Sequence, residues 1–325
     1  MRNQMLDLIK SFGCIGVVFI HIMFPGEFGE IIKSISSYAV PVFFMITGYY
    51  AYGMDDKTIK RRLIKIIKIF IFAYILFMFS DVSVAFKNHQ IGEWVKNNYN
   101  IVSVIKCIFF CTIGFAVPLW YLVAQIETYV FWYVIVKTKK EDIAMRVMPL
   151  LFVLYVSITT FCTTMGYDWF WKVNFLTCSL SWYLLGYYLH TLPEEFINKI
   201  SFGDIIVCGL IGVAIVLLPT IYVMKCNFSS FGHIPYATSI FLIALKYNKS
   251  VCFFLEFIGK KLSLWIYIFH VPISMVIKMF AKVILGVDIE SMLYMWIHPL
   301  ITVLVVICIS YVFDRLVCFL QALIT

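Results

Sequence analysis

Three ionisable residues stand inside the first apolar run of this sequence, and their types and spacing pose the first chemical question. Asp7 and Lys10 are three residues apart, which on a helix puts carboxylate and ammonium on one face where they can pair. His21 follows eleven residues after Lys10. That is about three turns, so the imidazole lies on nearly the same face and ~16 Å further along the axis. One helix therefore carries a cation near one end and an imidazole near the other. Ionisable groups in an apolar span are costly and usually face a partner or a cavity. An imidazole there suits general-base work, because its ordinary pKa of ~6.5 lets it accept a proton near neutrality. A single helical histidine is nonetheless more often a packed or interfacial residue than a catalyst.

Further along the chain, His270 lies about ten residues into an apolar run, with Tyr267 one turn before it. His270 needs a polar environment at that depth; it either lines a channel or makes a structural bond to a neighbouring helix. The segment from Tyr38 to Tyr50 contains Pro41 and Gly48. Such residues in a span let a backbone or ligand approach closely, and Thr47 and Tyr49 beside Gly48 are the polar groups there that can border a cavity. His89, His190, His233 and His298 read as surface or interfacial residues, and Trp120 and Tyr121 fit an interfacial aromatic belt as well as a sugar platform. The ten cysteines read as small apolar packing residues; of these, Cys107 and Cys111 share a helix face. No zinc motif, phosphate-binding loop or nucleophile elbow appears, so no metal is expected.

Several membrane helices are needed to position these groups. The chain is 62% hydrophobic and 14% charged, with mean hydropathy +0.93, against roughly 25% charged residues in a soluble domain. Its apolar blocks approach the ~20 residues that cross a ~30 Å hydrocarbon layer and lack the alternation of barrel strands. The prediction is an all-α, polytopic bundle of about ten transmembrane helices, near 5–24, 35–53, 66–84, 118–136, 147–163, 174–190, 205–224, 232–247, 262–281 and 295–320, forming a single domain over 1–325. The stretch 101–117 reads as an interfacial or re-entrant helix or as an eleventh span. The first block carries Asp7, Lys10 and His21 and no small-residue cleavage site, so it is read as a helix rather than a signal peptide. Basic residues concentrate at Lys57–Lys68 and Lys137–Arg146. Both loops are expected in the cytoplasm, with both termini on that side. The net charge of +8 is explained by these loops, and no nucleic-acid partner is inferred.

Taken together, Leu6-Asp7-x-x-Lys10, Lys10-x10-His21, the Tyr38–Tyr50 segment, Lys60-Arg61-Arg62-Leu63-Ile64-Lys65, Pro118-Leu119-Trp120-Tyr121-Leu122, Trp182-Tyr183-Leu184-Leu185-Gly186-Tyr187 and the run from Ile258 to His270 resemble the acyltransferase-3 family of membrane O-acyltransferases of surface polysaccharides. The resemblance covers nearly the whole chain. It implies that Lys10, Arg61, Arg62 and Lys65 engage a cytoplasmic acyl-coenzyme A, acetyl-CoA by default, and that His21 acts on a hydroxyl of a cell-surface or lipid-linked glycan. It also implies a place in the bacterial cytoplasmic membrane, among membrane lipids. Within this scheme Asp7 belongs to the catalytic set by holding Lys10, His270 orients His21 or meets the donor, and Thr47, Tyr49 and Tyr267 border the donor's path. The family tends to show Arg-x-x-Arg where this chain has Arg62-x-x-Lys65; lysine keeps the charge but loses bidentate phosphate binding. A transporter of a small solute or lipid-linked sugar is the alternative, with Asp7, Lys10, His21 and His270 as a coupling path, and a non-enzymatic scaffold ranks below it.

Overall fold

A computed structural model describes residues 3–172, 174–222, 228–249 and 252–324; Cys226 lies outside the described residues. Every regular element among them is helical. In chain order these are α1 (Gln4–His21), α2 (Gly26–Ser36), α3 (Ala39–Tyr49), α4 (Asp56–Lys87), α5 (Ile91–Asn98), α6 (Ile101–Phe110), α7 (Trp120–Lys137), α8 (Glu141–Thr164), α9 (Leu180–Thr191), α10 (Glu194–Lys199), α11 (Phe202–Tyr222), α12 (Ser229–Lys246), α13 (Phe253–Phe257), α14 (Ser263–Val283) and α15 (Met292–Ile324). Two π turns, Phe175–Ser179 and Ile258–Leu262, lead directly into α9 and α14.

Among the described residues, eight helical stretches are long and apolar enough to cross a membrane. Two of the ten expected spans fall outside that set. One is the stretch 175–191, which is a π turn followed by the twelve-residue α9; the other is α12, which carries Pro235, His233 and several serines. Their burial is nevertheless internal: Trp182, Tyr183 and Phe241 are fully enclosed. The membrane-length helices show the reverse pattern, with large apolar side chains facing outward, as at Phe79 (75% exposed) on α4 and Leu304 (65%) on α15. Continuous outward apolar surface of this kind is stable against lipid and not against water. The chain is an all-α, multi-pass membrane protein.

Segment 101–117 resolves into a ten-residue helix, α6, closed by Cys111 in the left-handed conformation at φ 52°. Ten residues rise only ~15 Å, half of what the hydrocarbon layer requires, so this segment is no eleventh span. The first span is also shorter than its expected end near residue 24. It stops at His21, because Pro25 lies just beyond and cannot continue a helix.

The chain forms two compact units, one of Met1–Phe43, Glu194–Met224 and Phe231–Thr325, the other of Phe44–Pro193 and Lys225–Ser230. In the first unit α1 is tied down at its start. The Asn3 side chain accepts from Leu6 N at 3.0 Å and donates to the Ala244 carbonyl at 2.7 Å. Its core is a seam of Cys14 and Val18 on α1 and Ile22 just beyond it, against Ile258, Leu262 and Ile266 on the π turn and α14, closed by Val306 of α15. In the second unit, α3 and α9 meet backbone to backbone. A Cβ on Gly48 would strike the Tyr183 carbonyl, and one on Gly186 would strike the Met45 carbonyl. These two glycines explain the unusual closeness of the pair: only the absence of side chains lets the helices touch there.

Candidate functional site

The first unit builds an imidazole pair from two parallel helical segments. At one end, Gly259 in the π turn sits against α1, where an added Cβ would collide with the Asp7 carbonyl. From that contact both segments run in the same direction, held in register by the i, i+4 rows Cys14, Val18, Ile22 and Ile258, Leu262, Ile266. At the far end of the seam the rings of His21 and His270 stand with centroids 5.1 Å apart, tilted by 46°. Two histidines 249 positions apart in the chain are thereby neighbours.

Their environments differ in a way that assigns them different work. His270 is 0% exposed. Its Nδ1 lies 2.6 Å from the Tyr267 carbonyl, and since a carbonyl only accepts, the proton sits on Nδ1 and Nε2 is left as a lone-pair acceptor. That Nε2 is buried and has no hydrogen-bond partner among the described residues. A buried acceptor left unmet costs about 1–3 kcal/mol, a price that native structures tolerate mainly where function requires it. His21, by contrast, is exposed. It is the last residue of α1. His21 is thus the accessible member and His270 the enclosed one. Tyr267 enters this pair through its backbone carbonyl.

Asp7 and Lys10 pair as the spacing implies, at 3.9 Å, with Asp7 1% exposed and Lys10 partly so. The pair lies on the stretch of α1 that Gly259 contacts, about three turns before His21.

The remaining expected site residues lie in the second unit. Asp55 caps α4 by accepting from Thr58 N at 3.0 Å, and the two turns that follow present the basic run. Arg61 is exposed and donates to Thr58 Oγ1 at 3.0 Å. Arg62 is half-buried and hydrogen-bonds the Tyr129 side chain, whereas Lys65 is exposed. Thr47 accepts from Gln125 Nε2 at 3.3 Å, and the Tyr49 ring lies 4.3 Å from that of His190, which in turn stacks on Tyr52 at 4.6 Å. Each of these two side chains therefore has packing partners inside that unit.

A model of an acyltransferase domain matches residues 3–315. The chain belongs to the acyltransferase-3 family. It is a membrane acyltransferase, and the matched region takes in α1, α3, the basic run and α14, the elements that carry the candidate residues. No curated protein and no solved structure matches the chain.

Several features of this acyltransferase escaped the sequence reading. His298, expected at the surface, is buried, with Nε2 2.9 Å from Ser274 Oγ and Nδ1 3.0 Å from the Tyr294 hydroxyl. Both nitrogens are satisfied, which marks it as a structural link between α14 and α15. Trp120 is buried and Tyr121 packs on Phe44 at 4.7 Å, so these rings serve the core. Cys107 and Cys111 do not share a helix face, because α6 ends before Cys111 and turns its thiol to Glu127 at 3.2 Å. A signal for Glu127 was present: it is the one charged residue between Val117 and Val136.

Proposed function

We propose that this acyltransferase moves an acetyl group from cytoplasmic acetyl-CoA to a hydroxyl of a cell-surface or lipid-linked polysaccharide, acting as a single domain in the bacterial cytoplasmic membrane with both termini cytoplasmic. The observation that carries the reading is the imidazole pair: an accessible His21 beside an enclosed His270 whose Nε2 is a buried, unmet acceptor. His21 removes the proton from the sugar hydroxyl as its oxygen attacks the thioester carbonyl. The tetrahedral intermediate collapses with loss of the coenzyme A thiolate, which takes up the proton from His21. His270 is a positioning residue: its Nε2, unpartnered in the resting protein, is the acceptor to which the ring N–H of His21 turns when substrate binds, so that the other nitrogen faces the hydroxyl, as second groups orient catalytic imidazoles elsewhere.

Donor recognition is assigned to the cations. Lys10, held by Asp7, and Arg61, Arg62 and Lys65 meet the phosphates of the donor, with Arg62 fixed by Tyr129 and Arg61 and Lys65 left exposed to reach outward. Thr47, Tyr49 and Tyr267 border its path. The unfavourable cost of bringing thioester and hydroxyl together is met by positioning, worth about 7–11 kcal/mol in well-oriented systems.

The decisive experiment is acetyl transfer to polysaccharide by membranes containing His21→Ala. The reading expects loss of turnover by about 10²–10⁴-fold; wild-type turnover would sink it. Binding of acetyl-CoA to the purified chain, with and without Arg61→Ala, tests the donor separately. Absence of any binding would instead favour a transporter.

A further inference from the structure

Glu127 has no place in the acyl-transfer scheme, yet it is a carboxylate in the middle of a membrane-length helix, the Val117–Lys137 stretch. A charge at that depth demands a partner. Among the described residues its hydrogen-bond partner is the thiol of Cys111, at 3.2 Å. A thiol is a weak donor, while a carboxylate can accept about four hydrogen bonds. Cys111 is fully buried and held in the left-handed region at φ 52°, a conformation that a non-glycine residue adopts only when its surroundings impose it. The backbone here is spent on aiming one group at the carboxylate and leaves the rest of its capacity unused.

Beside Glu127 lies a cleft of about 550 Å³, within the second unit, lined by Ile108 and Phe109 of α6, Val130 and Phe131 of α7, and Phe175 and Leu176 of the first π turn. Its size falls in the range of small-molecule sites. Asn174 at its edge is committed to capping, accepting from the amides of Leu176 and Thr177 at 3.0 Å. The π turn is therefore held in place and the carboxylate remains the charged group facing the cleft. Phe109 (68%) and Leu176 (48%) are exposed on the flanks, so on a lipid-facing surface the cleft is open to the hydrocarbon.

We infer that this cleft binds an amphiphilic amine, its ammonium against Glu127 and its hydrocarbon tail along Ile108, Val130 and Leu176. Charge decides the headgroup. An anionic head would meet the carboxylate at close range in a medium of low dielectric, where repulsion is strong. An ammonium is attracted by the carboxylate and also by the aromatic rings of Phe131 and Phe175, which line the same cleft with centroids 5.9 Å apart, a combination of acid and aromatic that suits organic cations. An uncharged alcohol gains only the hydrogen bond.

The test is photolabelling of the purified full chain in detergent by a diazirine-bearing long-chain amine, with labelled peptides mapped by mass spectrometry and competed by dodecylamine, dodecanol or dodecanoate. Labels are expected on the peptides holding Ile108–Phe109 and Val130–Phe131, displaced by dodecylamine at concentrations at least tenfold below those needed of dodecanol or dodecanoate. Labelling should drop at least tenfold in Glu127→Gln, which keeps the shape, and also in Leu176→Trp, which keeps the carboxylate and fills the cleft. Equal competition by the alcohol or the acid overturns the inference, as does undiminished labelling in either variant.

Discussion

At the scale of single residues, the imidazole pair is the most exacting feature. Because the Tyr267 main chain fixes the His270 tautomer, Tyr267→Phe keeps that hydrogen bond, and turnover is expected to stay within about threefold of wild type, under ~1 kcal/mol of barrier. His270→Ala removes the acceptor that orients His21 without touching the donor's path. The expected result is a fall in kcat of about 10²-fold with KM for acetyl-CoA nearly unchanged; a rise in KM at constant kcat would mean that His270 serves binding instead. Asp55 supplies a prediction in pH. The Thr58 hydrogen bonds to its carboxylate hold its pKa below the ordinary value. A group depressed on folding stabilises above its unfolded pKa and loses that contribution as pH falls through the folded one. Amide exchange in the first turn of α4 should accordingly quicken below about pH 4, and Asp55→Ala should show the quickened rate at neutral pH and flatten the pH dependence.

At the scale of elements, glycines set how helices meet. Gly48 and Gly186 let α3 and α9 touch backbone to backbone, and Gly259 does the same for the second π turn against α1. A methyl group at any of them has no flexible neighbour to displace, so Gly48→Ala is expected to cost about 1–3 kcal/mol, read as a lower midpoint of thermal unfolding in detergent. Gly259→Ala carries a further consequence. It lifts α14 from α1 at the contact that registers His270 with His21, so turnover should fall more than stability does. A loss of stability with normal turnover per folded molecule would show that the register is set elsewhere, by the apolar seam alone. Gly53, with φ +70° and nothing near its Cβ position, is the contrasting case: Gly53→Ala meets only backbone strain, about 1 kcal/mol.

At the scale of the whole molecule, topology can be read from the loops. With α6 only ten residues long, α4 and α7 are successive crossings, so Lys139 shares a side with Lys57, and Gln90 lies opposite. A cysteine placed at Lys139 should react with a membrane-impermeant maleimide only after the cytoplasmic face is opened, and one at Gln90 should react in intact cells. Labelling of both from outside would mean that segment 101–110 crosses after all.

Composition and loop charge sufficed to call a helical membrane protein, because lipid imposes apolar blocks of a set length and leaves cations at their ends. The pairing of Asp7 with Lys10 followed from helical periodicity, which is local. What the sequence could not supply was every relation between distant segments. The meeting of His21 with His270 depends on a parallel register pinned at Gly259; the burial of His298 depends on Ser274 reaching it from α14; and the turning of Cys111 toward Glu127 depends on a left-handed residue that ends α6. Periodicity shows which face of a helix a residue occupies, whereas only packing decides what that face touches, and for His21 and His270 packing also decided which one is exposed and which enclosed.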